Sequence, residues 1–520
     1  MSRRFLLAIL VVFSLLSIGS LAQTAREVRV VNDAAVALGG RERILAVKTL
    51  TIEGFGNNPN LGQQMTPESE LLLWMLPDFK RSIDLEHGRM GVEFTRRPAF
   101  PAVFDNARQS VRLDGDVAYN APAAGRGAPG RGAAGPGVGG AAAGRGGAPG
   151  APARASEQVT RDRRIEMLHH PLTAVRAALE PSARVANFRQ SGTLQLVDVT
   201  TMKGDTITLA IDATTKRPVS VTSMANQANL GDVARVTTFS GYEDVDGVKL
   251  PKHLVTTIDR WVEFDIGVMK HTLDADLSDL AAPEATRTAP LPQANPPQTV
   301  TVTEVSKGIW FLTGGGIPSM VVEFADHVAI IEVPGGDARV QAVLAKAKEL
   351  VPTKPVTQAI VSHHHFDHTA GLRAAVAEGL TVMAQRTNEA WFREVVQRKH
   401  TIEPDALARN PKPLKIVSFD DSYTIKDSTM EVDLYHIVGA THGDGMLAVY
   451  FPRERVYAEP DVWNPGAQIQ PHLRSLYSDI TRRGLRIDRI VPLHGNAVQP
   501  YSGLLKDIEQ WTGIHPTATN

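Results

Sequence analysis

A chain of 520 residues, 43% apolar and 21% charged, is long enough for two folded domains and sits in the range of soluble globular proteins. The formal net charge of −1 gives no electrostatic reason to expect nucleic acid or an anionic membrane surface as a partner. Cysteine is absent, which excludes disulfides, a lipidated N-terminal cysteine and thiolate ligands, so a metal centre here has to be built from histidine and carboxylate.

Residues 1–22 read as a secretory signal. Arg3 and Arg4 precede an apolar run from Phe5 to Leu16, and Ser20-Leu21-Ala22 supplies small residues for cleavage near Ala22. The run is short of the roughly 20 residues a membrane span needs, so a periplasmic or secreted protein without a stable span is expected. A β-rich N-terminal domain follows over 23–280. It opens with a helix at about 26–38 that stops at Gly39-Gly40. Strands are expected at Thr49–Glu53, Glu70–Trp74, Leu194–Thr200, Thr206–Ile211, Val219–Ser223, Ala234–Tyr242 and Leu254–Ile258. An insert at 121–155, nearly all Gly, Ala, Pro and Arg, has too little apolar area to offset ordering entropy and is expected to be disordered. A Pro/Ala-rich linker at 281–298 leads to a third region, 299–520.

Three stretches of the N-terminal domain, ALGGRERILAVKTLTIEG (37–54), LLWMLPDFKRSIDL (72–85) and YEDVDGVKLPKHL (242–254), resemble the half-barrel domains of LolA-like lipoprotein carriers. That resemblance implies an α+β half-barrel with a concave apolar surface. A purely structural β-domain is the alternative.

In the C-terminal region strands are expected at Ile309–Thr313, Met320–Phe324 and Val328–Val333. Val340, Val343, Leu344, Ala347 and Val351 then form a helical stripe over 337–350. Ala359–Val361, a short buried strand, runs into Ser-His-His-His-Phe-Asp-His at 362–368. A chain leaving a strand can send His363 and His365 to one side, while Asp367 and His368 fall on the following turn. Two ligand pairs within six residues suit two metal ions better than one. Imidazole and carboxylate favour zinc, with iron or manganese as alternatives. His364, between two ligands, is expected to point away from them.

The string SHHHFDHTAG (362–371) resembles the signature of the metallo-β-lactamase superfamily, whose hydrolases share an αββα sandwich. SMVVEFADHVAIIEVP (319–334), GATHGDGMLAVYFP (439–452), VYAEPDVW (456–463) and VPLHG (491–495) match further motifs in order. The resemblance implies one metal held by His363, His365 and His442, a second by Asp367, His368 and His494, and Asp461 bridging the two. Spacing alone leaves His442 open against His436, and His494 against His472. Thr441 and Gly443 flanking His442, Ala370 and Met446 depart from the usual pattern, and bear on substrate preference rather than on ligands. Glu332 and Asp444 are expected to support ligand side chains. Trp463, Asn464 and Tyr477 are candidates for substrate contact or for packing.

Such a site would use a metal-bridging hydroxide on a small ester, lactone, thioester or amide substrate. Asp367 would bind the second metal and act as the catalytic acceptor or orienter. β-Lactam hydrolysis, iron-dependent redox or sulfur chemistry on the same scaffold, and a non-enzymatic carrier of hydrophobic ligands are the alternatives.

Overall fold

A computed structural model describes residues 26–99, 107–121, 152–293, 296–466, 469, 471–513 and 516. The leader at 1–22 lies outside them, as do residues 122–151 of the Gly/Ala/Pro/Arg insert. Among the described residues no helix is long and apolar enough to cross a membrane.

Helix α1 covers residues 26–37 and ends at Gly39 (φ 126°) and Gly40 (φ 101°), backbone conformations that need glycine. At Gly39 a Cβ would also fall 2.1 Å from the Gly247 carbonyl oxygen, so the helix end can approach the neighbouring strands closely. After α2 (Arg41–Ala46) come β1 (Thr49–Asn57), β2 (Trp74–Asp84), β3 (Arg89–Pro98), β4 (Ala107–Asp114) and β5 (Val117–Asn120). Two helices, α3 (Glu157–Met167) and α4 (Pro171–Leu179), precede seven more strands. These are β6 (Arg184–Ser191), β7 (Leu194–Thr200), β8 (Thr206–Asp212), β9 (Pro218–Gln227), β10 (Gly231–Val245), β11 (Val248–Ile258) and β12 (Trp261–Leu273).

All twelve strands form one antiparallel sheet, ordered β5-β4-β3-β2-β1-β12-β11-β10-β9-β8-β7-β6. Two meanders of neighbouring hairpins therefore meet at a central β1–β12 pair, which runs from Leu50↔Leu273 to Asn57↔Asp265 with a register shift between Glu53 and Gly54. Apolar residues of α1–α4 (Val30, Val31, Ile44, Ile165, Leu172, Val175) pack with Leu50, Ile52, Phe94, Leu209 and Ile266 of the strands in a single core. The expected strand at Glu70–Trp74 is displaced. β2 starts at Trp74, and residues 70–73 belong to the β1–β2 connection, where Leu71 is drawn onto the C-terminal domain's core instead. The first part of the 281–298 stretch is folded, with α5 at Glu284–Arg287. Ala282 packs on Val117 and Tyr119, and Arg287 pairs with Asp114.

The C-terminal domain contains two sheets. The first runs β13 (Thr301–Ser306), β14 (Ile309–Thr313), β15 (Ser319–Glu323), β16 (Val328–Ile331), β17 (Val356–Ile360), β18 (Thr381–Gln385) and β19 (Lys415–Phe419), in that spatial order. It is antiparallel up to β16 and parallel from β16 to β19. The parallel crossovers carry α6 (Asp337–Leu350), α7 (Phe366–Thr369), α8 (Leu372–Glu378), α9 (Glu389–Gln397) and α10 (Ala406–Arg409). The second sheet is ordered β20 (Ser422–Lys426), β21 (Glu431–His436), β22 (Leu447–Phe451), β23 (Val456–Glu459), β24 (Arg489–Pro492) and β25 (Gln499–Pro500). Helices α11 (Leu473–Arg482) and α12 (Tyr501–Thr512) complete it.

Phe311, Val322, Ile331 and Ile360 of the first sheet share a core with Val432, Leu434, Val449, Phe451 and Val491 of the second. The opposite face of the first sheet packs on α6, α8 and α9, and that of the second on α11 and α12. Strand residues buried on both faces explain the unbroken apolar runs at β16 and β22.

Candidate metal centre

β17 lies between β16 and β18, parallel to both, and delivers Ser362 to His365 at its C-terminal end. α7 begins directly after, so Asp367 and His368 sit on its single turn. His442 comes from the turn before β22, Asp461 from the turn after β23, and His494 from the segment after β24. The ends of four strands thus converge on one point.

Two groups of four side chains result. His363, His365, His442 and Asp461 have their ligand atoms within 4.8 Å of one another, and so do Asp367, His368, Asp461 and His494. Asp461 belongs to both. Its Oδ2 is 3.4 Å from His363 Nε2, 2.9 Å from His368 Nε2 and 3.1 Å from His442 Nε2, and its Oδ1 is 2.7 Å from His494 Nε2. Despite that proximity, His363 Nε2, His365 Nδ1, His368 Nε2 and His442 Nε2 are buried with no hydrogen-bond partner. Buried polar atoms are rarely left unpaired. The far ring nitrogens of three of these histidines are occupied. His363 Nδ1 is hydrogen-bonded to Ser362 Oγ (2.9 Å), His365 Nε2 donates to the Gln64 carbonyl (2.9 Å), and His368 Nδ1 donates to Glu332 Oε2 (3.1 Å). Ring nitrogens gathered at a common point, with three of the four rings oriented from their far sides, fit a donor set for divalent cations.

Burial is the largest influence on each of these groups. It drives His363 down to about 3 and His365 well below the usual histidine range, with neighbouring histidines adding to the effect. At His368 burial is outweighed by the charges of Asp461, Glu332 and Asp367, and the imidazole is raised well above its ordinary value. At His494 it is outweighed by Asp461 and Asp367, which push it up to about 10. Asp367 and Asp461 are held below the carboxylate range by the histidines around them, again against burial. His363 and His365 are therefore neutral at neutral pH, whereas His368 and His494 hold protons against carboxylates.

Two backbone features place the carboxylates. Glu332 (φ 68°) and Asp461 (φ 55°) occupy the left-handed region, which costs non-glycine residues energy and is tolerated where surrounding structure demands it. Glu459 Oε2 accepts from the N–H groups of Val462 (3.0 Å) and Trp463 (3.2 Å), fixing the turn that carries Asp461, and burial raises this carboxyl to about 8. The side chains of Asp367, His442 and His494 remain 36%, 22% and 28% exposed, whereas His363 and His368 are fully enclosed, so the opening to solvent lies on the former side.

His364 turns away from the cluster as expected, its ring 6.3 Å from that of His363, yet it is buried at 1% exposure rather than facing water. His436 ends β21 with Nε2 3.4 Å from Asp444 Oδ1. Asp444 thus faces His436, and its backbone N–H donates to the Met65 carbonyl. Trp463 serves packing, with Nε1 donating to Asp507 (2.8 Å) at 4% exposure. His472 stands beside the cluster, its ring 5.5 Å from that of His442. Gln63, Gln64, Ser362 and Glu459 were not legible as site residues. The first two are some 300 positions away in the chain, and no local pattern marks them.

Residues 312–458 match the family model described as the Metallo-beta-lactamase superfamily. The C-terminal domain is a metallo-β-lactamase superfamily domain, and its enzyme class is metallohydrolase. The match contains His363 through His442 and stops short of Asp461 and His494. Similar solved structures include a metallo-beta-lactamase from Pontibacter korlensis (19% identity, 40% of this chain and 95% of that one, TM-score 0.31). Another is a metallo-beta-lactamase from Hirschia baltica, with the same four figures. A comparison with curated proteins returns no match.

Proposed function

We propose that the chain is an exported, dinuclear metal-dependent hydrolase of a small ester, lactone, thioester or amide, built on an αββα sandwich. The observation that carries this reading is the set of orphaned imidazole nitrogens around Asp461 Oδ2, two four-residue groups sharing one carboxylate. His363, His365 and His442 would hold one ion, Asp367, His368 and His494 the other, with Asp461 between them. Zinc is the ion best suited to this donor set. Two such ions, when bound, supply a water acidic enough to be hydroxide near pH 7 and a Lewis acid for the bond being cleaved.

The protein's own groups do the rest. Gln64 and Glu332 select the tautomer of His365 and His368, and with Ser362 they fix the plane of three imidazoles, leaving the other nitrogen of each to face the metal positions. Asp367, more than a third exposed at the mouth of the site, is the group placed to orient the attacking water or take its proton. The signal-like residues 1–22 support export. Helices α1–α4 share a core with the strands of the N-terminal sheet, which favours a hydrolase over a carrier of hydrophobic ligands.

The test is a hydrolysis screen of the mature protein loaded with zinc, and separately with iron or manganese, across β-lactams, lactones, thioesters, aryl esters and phosphodiesters. Turnover of one carbonyl class, lost in Asp367→Ala, is expected. A zinc-loaded protein inert to every carbonyl substrate, or turnover retained in Asp367→Ala, would overturn the reading.

A further inference from the structure

The β1–β2 connection of the N-terminal domain is built into the metal cluster. Leu61, 2% exposed, packs in the C-terminal domain's core with Phe366 and Trp391. The next four residues each bond to the loops that carry the cluster. The Gly62 carbonyl accepts from Phe366 N–H (3.1 Å), Gln63 Nε2 donates to Asp367 Oδ1 (2.8 Å), the Gln64 carbonyl accepts from His365 Nε2 (2.9 Å), and the Met65 carbonyl accepts from Asp444 N–H (2.7 Å). The connection is itself braced. Arg96, 1% exposed, donates to the Asn58 carbonyl and Asn60 Oδ1 (3.4 Å each), and its guanidinium lies 4.5 Å from the Trp74 ring.

Asp367 is the ligand in most need of such support. Its side chain is 36% exposed and sits on a four-residue helix, so little packing fixes its carboxylate plane. Oδ2 faces His494 Nε2 at 3.3 Å, on the side of the second metal position, and Oδ1 takes the Gln63 amide. A donor on one oxygen selects which oxygen is presented to a cation. We infer that Gln63 is a positioning residue for the metal centre, orienting Asp367 toward the second ion, so that the N-terminal domain completes the site. Gln63 has this role because Asp367, His368, Asp461 and His494 hold an ion, as proposed above.

If Gln63 only docked the two domains, any other contact across the interface would serve as well. Arg260, which pairs with Glu394 at 2.8 and 3.2 Å away from the cluster, is the control. The full mature chain, Gln63→Leu (volume kept, amide removed), Gln63→Ala and Arg260→Ala are titrated with Zn2+ against a chromogenic chelator, and with Co2+ by visible absorption. The unsubstituted chain is expected to bind two ions. Both Gln63 variants should weaken the second by roughly 10–100-fold, the usual cost of losing a group that orients a ligand, and alter the Co2+ bands of that ion alone. Arg260→Ala should bind both normally. Unchanged constants and spectra in the Gln63 variants, or equal weakening of both ions in all three, would overturn the role of Gln63 while leaving the metal site standing. An unsubstituted chain that binds no metal would bring down the site and this role together.

Discussion

Loading the two metal positions should cost protons unequally. Without metal, His494 is raised to about 10 and His368 well above the ordinary histidine value, chiefly by Asp461 once burial is overcome. Both therefore carry a proton at pH 7. A cation needs the neutral imidazole, so each must release that proton on binding. Three pH units between 7 and about 10 mean that protonation of His494 alone weakens apparent affinity at pH 7 by about a thousandfold. His363, at about 3, and His365, well below the usual range, are already neutral and release nothing. The second ion should thus release at least the proton of His494, and more than the first ion does, with log affinity rising by about one or more per pH unit from pH 7 to 9. Calorimetric titration with Zn2+ in two buffers of different protonation enthalpy reads the proton count directly. Release of less than about half a proton with the second ion, or more with the first than the second, would refute the charge division drawn here.

Three further perturbations test the surroundings. Gly62→Ala places a Cβ 2.3 Å from the Phe366 ring at φ 81°, and the left-handed penalty with overpacking should destabilise the chain by about 2–5 kcal/mol in urea unfolding. A change under about 0.5 kcal/mol would mean the interface opens freely there. Glu332→Gln keeps an acceptor for His368 Nδ1 but removes a fully buried charge. Chelator competition should show the second ion weakened by roughly tenfold or more, and equal loss at both positions would contradict its placement. Arg373, 5% exposed, pairs with Asp405 and donates to the carbonyls of Val395 (3.1 Å), Val396 (2.7 Å) and Arg398 (3.1 Å). Arg373→Ala should cost about 2–4 kcal/mol by chemical denaturation, because three carbonyls and a half-buried carboxylate lose their partner, and a loss below 1 kcal/mol would argue against that account.

The candidate site was legible because its chemistry is local in part and patterned in the rest. The pair His363/His365 and the turn Asp367/His368 announce themselves by spacing. His442, Asp461 and His494 needed the resemblance, and the structure brings all seven to one point. In the C-terminal domain, strand ends and helix α6 follow the apolar periodicity closely, since strands buried on both faces are written as continuous apolar runs. In the N-terminal domain β7 was readable to its limits, while β3 and β6 were not. β3 interleaves Arg, Glu and Thr with buried positions, and β6 lies at the sheet edge with mostly exposed residues. Asp444, expected to support a ligand side chain, faces His436 instead, and nothing in its neighbourhood betrays its bond to Met65, a residue of the other domain.

The central β1–β12 pair has a kinetic meaning. Thr49 Oγ1 donates to the Ala275 carbonyl across 226 residues of chain, and the strands between are mostly joined to their immediate neighbours. Each meander can assemble as its hairpins leave the ribosome, but the seam between them waits until β12 has emerged, and such distant pairings form slowly. The connection carrying Gln63 leaves from the far end of β1, at Asn57, which is paired with Asp265 of β12. Its fixed position is inherited from the last join to close, and the turns it grips are synthesised later still. Uptake of the second metal ion would then be a chemical signal that the entire polypeptide, and not merely its C-terminal portion, has reached its final arrangement.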